Sequence, residues 1–133
     1  MFKRTNLLIV FFLYFITINS SLSLEPDVFV QSTVNRASKI LAEEITKEKK
    51  IEKLKTIALE TVDIKGIGMY TLGPIRKSLS ENEKITYNSL FKKYFLKSFS
   101  DRLAEYTNPE IDVLDKKVLN ENYTIVNSIL KAK

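Results

Sequence analysis

The side chains that most often carry covalent catalysis are missing from this sequence. Its 133 residues include no His and no Cys, which excludes His-based triads, thiol nucleophiles, disulfides, and imidazole or thiolate metal sites. Asp63, Glu105 and Tyr106 remain as candidates for acid–base work. None of them stands at a recognisable catalytic spacing, and a helix cap for Asp63 and a solvated face for Glu105 explain them better. We therefore expect no enzyme, no catalytic residue and no metal.

Three glycines fall close together, at positions 66, 68 and 73. Gly66-x-Gly68 has the opening spacing of a dinucleotide-binding loop, but the third glycine position is Thr71, and a helix rather than a strand precedes it. The glycines are better explained as positions where a helix approaches a neighbour closely, with Gly73-Pro74 ending that helix. We expect no cofactor.

The first 23 residues have the three-part layout of a secretory signal peptide. Two basic residues precede the apolar run 7–18, and Ser21 and Ser23 suit a signal peptidase that cuts after Ser23. A helix of about 12 residues spans only about 18 Å, short of the ~30 Å hydrocarbon core, so a cleaved leader is favoured over an uncleaved anchor. We predict a signal peptide over residues 1–23, a single domain over residues 24–133, and a periplasmic location.

The basic charge balance does not indicate a nucleic-acid partner. The chain has 21 Lys and Arg against 16 Asp and Glu, and the leader carries two of the basic residues and no acidic one, so its removal lowers the formal charge from +5 to +3. In segment 43–53, lysines alternate with glutamates, which is typical of a solvated helix face rather than of a phosphate-binding stripe. We expect no nucleic acid among the partners.

Apolar spacing predicts about four helices followed by an antiparallel β-hairpin, an α+β fold. Apolar residues three and four apart predict helices over residues 26–44 and from about 51 to 61, and Asp63 caps a third, shorter helix. Segment 80–83 is a capping box that opens the fourth and longest helix. Beyond that helix the period changes from 3.6 to 2, which predicts two strands with a turn at residues 120–122.

The fourth helix is unusually apolar. Its apolar and aromatic side chains fan over roughly 240° of the circumference, where an ordinary surface helix needs a stripe of about 100°. These side chains are Tyr87, Leu90, Phe91, Tyr94, Phe95, Leu96, Phe99, Leu103 and Tyr106. Such a helix must be covered on more than one side, and two interpretations stay open: it is buried centrally, or part of it lines an apolar ligand cavity.

Five short motifs follow one another between residues 26 and 130. They are Phe29-Val30-Gln31, segment 62–67, Thr71-Leu72-Gly73, the capping box at 80–83, and segment 90–96 with Arg102-Leu103 and Glu105-Tyr106. In their order and spacing they resemble the MlaC-type periplasmic phospholipid-binding proteins, also called toluene-tolerance auxiliary components. The last motif is similar to the end of the family's long helix, Arg-Leu-x-x-Tyr.

The resemblance implies a carrier rather than an enzyme. In the family, an apolar cavity between helices and a curved sheet takes the acyl chains of a phospholipid, and the head group stays near water. The implied function is a phospholipid-binding shuttle between an outer-membrane lipoprotein and porin complex and an inner-membrane ABC transporter. The candidate residues for the apolar wall are Ile67, Met69, Leu72, Leu90, Phe91, Tyr94 and Phe95. Arg76 and Lys77 either contact the head group or form a solvated pair at a helix end.

Two departures from the family pattern give an alternative. After Gly73 the family has an aromatic pair followed by Arg, where this sequence has Ile75, Arg76 and Lys77. Family members also continue with further strands and a C-terminal helix, so we expect a C-terminally truncated or split member with an incomplete domain. The alternative function is a fragment that binds no lipid, either an interaction module that docks on a second polypeptide carrying the missing strands or a vestigial product.

Overall fold

The computed structural model describes residues 24–107 and 109–131, and the predicted signal peptide over residues 1–23 lies outside these described residues. Four α-helices precede an antiparallel hairpin, which confirms the predicted α+β arrangement. The elements are α1 (Pro26–Ala42), α2 (Lys47–Thr61), α3 (Ile64–Thr71), a 3-10 helix (Gly73–Lys77), α4 (Glu81–Leu103), β1 (Glu110–Asn120) and β2 (Tyr123–Lys131). Within these two stretches, no helix is both long enough and apolar enough to cross a membrane.

Local sequence signals set the starts of the helices. Pro26 occupies the first turn of α1, where a missing N–H group leaves no hydrogen bond unmade. The Asp63 carboxylate accepts a hydrogen bond from the backbone N–H of Gly66 at 2.9 Å, which confirms the predicted cap of α3. At α4 the predicted capping box is complete, since the Ser80 hydroxyl accepts from the Glu83 N–H while the Glu83 carboxylate accepts from the Ser80 N–H. The Ser80 contacts lower the pKa of Glu83.

The three glycines serve three different purposes around α3. A Cβ atom on Gly68 would lie 2.9 Å from the Phe91 ring, so α3 and α4 approach closely at this point, as predicted. A Cβ atom on Gly66 would overlap the Asp63 carboxylate, so this glycine makes room for the cap instead. Gly73 has a φ angle of +56°, which glycine adopts without the steric cost that other residues meet there.

The elements pack in the order hairpin, α1, α2, α4, α3. Arg36 of α1 forms an ion pair with Glu60 of α2, and the Lys50 ammonium donates to the carbonyl oxygen of Leu41 at the end of α1, 2.6 Å away. The buried apolar core lies chiefly on α2 and its neighbours. Its members are Leu41, Leu54, Ile57, Ala58 and Ile64.

The hairpin lies against α1 through one of its two faces. Ile111 pairs with Leu130 across the strands, and these residues share one face. Near the middle of β1, the Lys116 ammonium donates hydrogen bonds to the carboxylates of Glu25 and Asp27 near the start of α1, at 2.7 and 2.8 Å. The hydrogen bond from Lys116 lowers the pKa of Asp27, and the bonds to Asp27 and Glu25 raise the pKa of Lys116. This contact, the Lys116 tether, joins the hairpin to the first turn of α1.

The opposite face of the hairpin is open among the described residues. Tyr123, Ile125 and Ile129 lie on that face, because side chains alternate along a strand and Leu130 points to the other side. Each of the three is exposed, and Ile125 keeps 45% of its accessible surface. The sheet of the described chain has two strands, and the exposure of these three side chains shows that no other described element covers them.

α4 is less buried than its sequence indicates. Leu90 and Tyr94 keep 61% and 68% of their accessible surface, and Ser100 is the single fully buried residue of this helix. The predicted helix also ends earlier, at Leu103 rather than at Tyr106. The interpretation of α4 as a centrally buried helix is therefore wrong. The physical reason is that α3 has only 8 residues and covers only part of a helix of 23.

Candidate functional site

An apolar cavity of about 240 Å³ lies where α1, α2, α4 and the hairpin meet. None of the described residues that form its walls is charged, and all three helices and the hairpin contribute to them. The lining residues are Thr33, Val34, Ala37, Leu41, Leu54, Ile57, Thr61, Val62, Phe99, Leu103, Tyr106, Pro109, Ile111 and Leu130. The site is therefore built by tertiary packing and not by any one segment.

The two threonines in the lining do not make the cavity polar. The Thr33 hydroxyl donates to the carbonyl oxygen of Phe29 at 2.9 Å, and the Thr61 hydroxyl donates to that of Ile57 at 2.7 Å. Each acceptor belongs to the threonine's own helix, so both hydroxyl donors are satisfied without a ligand. A ligand gains free energy here mainly by removing its own apolar surface from water.

The size of the cavity sets what it can hold. A cavity of about 150 Å³ with apolar walls binds a benzene molecule, so about 240 Å³ has room for roughly ten carbon atoms. That is part of one acyl chain and much less than a diacyl lipid. Further chain length has to be covered by a neighbouring surface.

Such a surface lies on the outer side of α4. Phe99 and Leu103, which line the cavity, also line the α4 groove, an open groove of about 320 Å³. Its other lining residues are Tyr94, Phe95, Ser98 and Arg102. The rings of Phe95 and Phe99 stack at a centroid distance of 5.6 Å, and Phe91 stacks on Phe95 at 6.2 Å, which continues the aromatic surface along the helix. Cavity and groove are thus two sides of the same stretch of α4.

The residues predicted for the apolar wall do not line the cavity. Tyr94 and Phe95 line the α4 groove, while Phe91 packs on Gly68 and continues the stacked row. Leu90 points to solvent on α4. Of the three α3-side candidates, Ile67 is exposed, and Met69 and Leu72 are half-buried. The structure does not gather these seven residues into one pocket, and their contact with a lipid stays a prediction.

Arg76 and Lys77, predicted for the head group, lie on the 3-10 helix. They line a separate open depression with Tyr70, Thr71, Gly73 and Pro74, and this depression has no lining residue in common with the cavity or with the α4 groove. Both side chains are exposed. The structure therefore does not bring the predicted cations to the apolar site.

The family model described as MlaC protein matches residues 31–133, which is most of the chain and includes every residue that lines the cavity. The chain belongs to the MlaC family. MlaC proteins are periplasmic proteins of phospholipid transport, and an apolar cavity suits that class. Neither a curated protein nor a solved structure gives a significant match to this MlaC chain.

The apolar period of the sequence already marked several of the residues that line this MlaC cavity. Val34, Ala37 and Leu41 on α1, and Leu54 and Ile57 on α2, recur at the helical period that predicts a buried face. Periodicity shows that such a face is covered, but it does not show whether the covering is tight or leaves a cavity. That depends on how α1, α2 and the hairpin meet, which is a tertiary property.

Proposed function

We propose that this chain binds a phospholipid by its acyl chains and carries it across the periplasm as the soluble component of an ABC-transporter-linked system. The partners would be the inner-membrane ABC transporter and the outer-membrane lipoprotein and porin complex that the family resemblance implies. No covalent chemistry is part of the proposal. The single observation that carries it is the uncharged cavity shared by α1, α2, α4 and the hairpin.

The energetics favour a lipid over a small polar ligand. Two acyl chains of about 16 carbons represent roughly 25 kcal/mol of gross transfer free energy, at about 0.8 kcal/mol for each buried methylene group. Roughly ten carbons placed in the cavity would supply about 8 kcal/mol of that total. The rest needs the α4 groove and some movement of the elements around the cavity, so binding should be accompanied by a change in their packing.

The hairpin offers a matched pair of variants to test the proposal. Ile111 lines the cavity, and Ile125 is exposed on the opposite face of the same hairpin. The chain would be purified from a membrane-containing extract, and its bound phospholipid would be measured by native mass spectrometry and lipid extraction. We expect wild type and Ile125→Ser to carry phospholipid and Ile111→Ser to carry much less. Wild-type protein that carries none after saturation with phospholipid vesicles would contradict the proposal.

One observation favours the alternative of an interaction module. Tyr123, Ile125 and Ile129 form an exposed apolar strip beside the unpaired strand edges of the hairpin, and such surfaces commonly add a strand or a partner. The matched pair also addresses this alternative. If the chain acts through this strip and binds no lipid, Ile125→Ser changes its association state while Ile111→Ser does not.

A further inference from the structure

The α4 groove contains a charge that the cavity lacks. Among the residues that line this groove, Arg102 is the one with a charged side chain, and it directly precedes Leu103, which lines both groove and cavity. Consecutive Cα atoms are only about 3.8 Å apart. A cation therefore stands at the edge of the apolar surface, next to the place where cavity and groove share a wall.

The guanidinium group of Arg102 is available to a ligand. Its side chain keeps 78% of its accessible surface, and the nearest carboxylate oxygen in the described part of the chain, on Glu105, is 3.9 Å from Nη1. That distance is too long for a hydrogen bond. Guanidinium carries five N–H donors in a planar fork that matches the oxygen atoms of a phosphate, and the aliphatic part of the side chain can lie along apolar surface while the charge stays in water.

Arg102 is also better placed to contact a lipid head group than the cations predicted from the sequence. Arg76 and Lys77 line a depression that has no residue in common with the apolar site. When the acyl chain of a lipid lies against Phe99 and Leu103, the head group attached to that chain comes within reach of Arg102. The combination of an apolar groove and one cation at its edge complements a phospholipid, whose acyl chains and phosphate are arranged in the same way.

We propose that Arg102 binds the phosphate of a phospholipid whose acyl chain lies in the α4 groove and the adjoining cavity. This inference rests on the proposed function and adds to it the contact that distinguishes a phospholipid from other acyl lipids. Because Arg102 lies in the last turn of α4, it also stabilises the helix C-terminus, and the test has to separate that role from ligand binding.

The test compares two lipids with the same acyl chains, dioleoylphosphatidylglycerol and dioleoylglycerol, which lacks the phosphate. The full chain, freed of bound lipid, would be incubated with each lipid and the retained amount measured by native mass spectrometry. We expect Arg102→Gln to lower retention of the phospholipid by about threefold to tenfold, the range for a partly solvated charge-assisted contact, with dioleoylglycerol unchanged. Arg102→Lys should retain an intermediate amount, because Lys keeps the charge without the fork. Arg76→Gln is the matched control and should behave as wild type.

The possible results separate this inference from the function on which it rests. If wild type retains both lipids and Arg102→Gln retains the phospholipid equally well, the phosphate contact is wrong and the carrier function stands. Equal losses of both lipids in Arg102→Gln, or equal losses in Arg102→Gln and Arg76→Gln, also overturn it. Wild type that retains neither lipid overturns the carrier function and this contact together. Inorganic phosphate is the last arm: if phosphate alone binds as tightly as the phospholipid and does so through Arg102, the ligand is a free phosphate and not a lipid head group.

Discussion

Filling the cavity should change stability and lipid binding in opposite directions. Ala37 lines the cavity from α1, and Ala37→Leu adds three carbon atoms to that wall. Burying three methylene equivalents contributes about 2.4 kcal/mol, and ordering the new side chain costs about 0.5–1 kcal/mol. We therefore expect the free energy of unfolding of the lipid-free chain to rise by about 1.5 kcal/mol.

The same change should weaken phospholipid binding. The cavity has room for roughly ten carbons, and three of these places would be taken by the new side chain. A ligand that loses about 2.4 kcal/mol of transfer free energy binds about fiftyfold less tightly. Stability would be measured by urea unfolding followed by far-ultraviolet circular dichroism, and affinity by displacement of a fluorescent fatty-acid analogue with dioleoylphosphatidylglycerol.

Ala42→Leu is the matched control, because Ala42 is the exposed last residue of the same helix. It should leave both quantities nearly unchanged. An affinity of Ala37→Leu within twofold of wild type would refute the assignment of the acyl chain to this cavity. A lower free energy of unfolding would refute the estimate of open space beside Ala37, since overpacking costs about 1–3 kcal/mol.

Three further predictions concern the framework around the site. The hydrogen bonds of the Lys116 tether lower the pKa of Asp27 and raise the pKa of Lys116. The tether should therefore hold the hairpin fully at every pH between the ordinary carboxyl pKa and the ordinary lysine pKa. Its contribution to stability should be lost as the pH falls through the lowered Asp27 pKa or rises through the raised Lys116 pKa. At neutral pH, we expect Lys116→Met to speed amide hydrogen exchange in β1. An unchanged exchange rate would contradict the tether. Ser80→Ala removes the cap of α4 and should lower the free energy of unfolding by about 1 kcal/mol in urea unfolding, with no change if the cap contributes nothing. Gly68→Val should cost about 1–3 kcal/mol in the same measurement, because the added carbons meet the Phe91 ring, and a neutral result would show that α3 can move away from α4.

Sequence patterns predicted the elements well where their signals are local. The cap at Asp63, the capping box of Ser80 and Glu83, and the change of period after α4 all depend on residues within a few positions of each other. The caps are hydrogen bonds between neighbours in the chain, and the apolar period can be read over a few residues. The α+β order of the elements follows from these local signals.

Burial along α4 could not be predicted in the same way. The apolar residues of this helix cover most of its circumference, and that pattern suggested burial on several sides, yet Leu90 and Tyr94 face solvent. Periodicity reports which side chains are apolar, whereas coverage depends on the length and position of the neighbouring helices. α3 is simply too short to cover the whole of α4.

The amino-acid sequence by itself determined the family of this protein and the order of its helices and strands. The motif order along the chain is that of the MlaC family, and caps and apolar periods mark four helices followed by a hairpin. Only the tertiary structure decided which apolar residues meet around a cavity, and that Arg102 rather than Arg76 stands beside it. The physical reason is that a cavity is the space left between packed elements, and no single segment of the chain contains it.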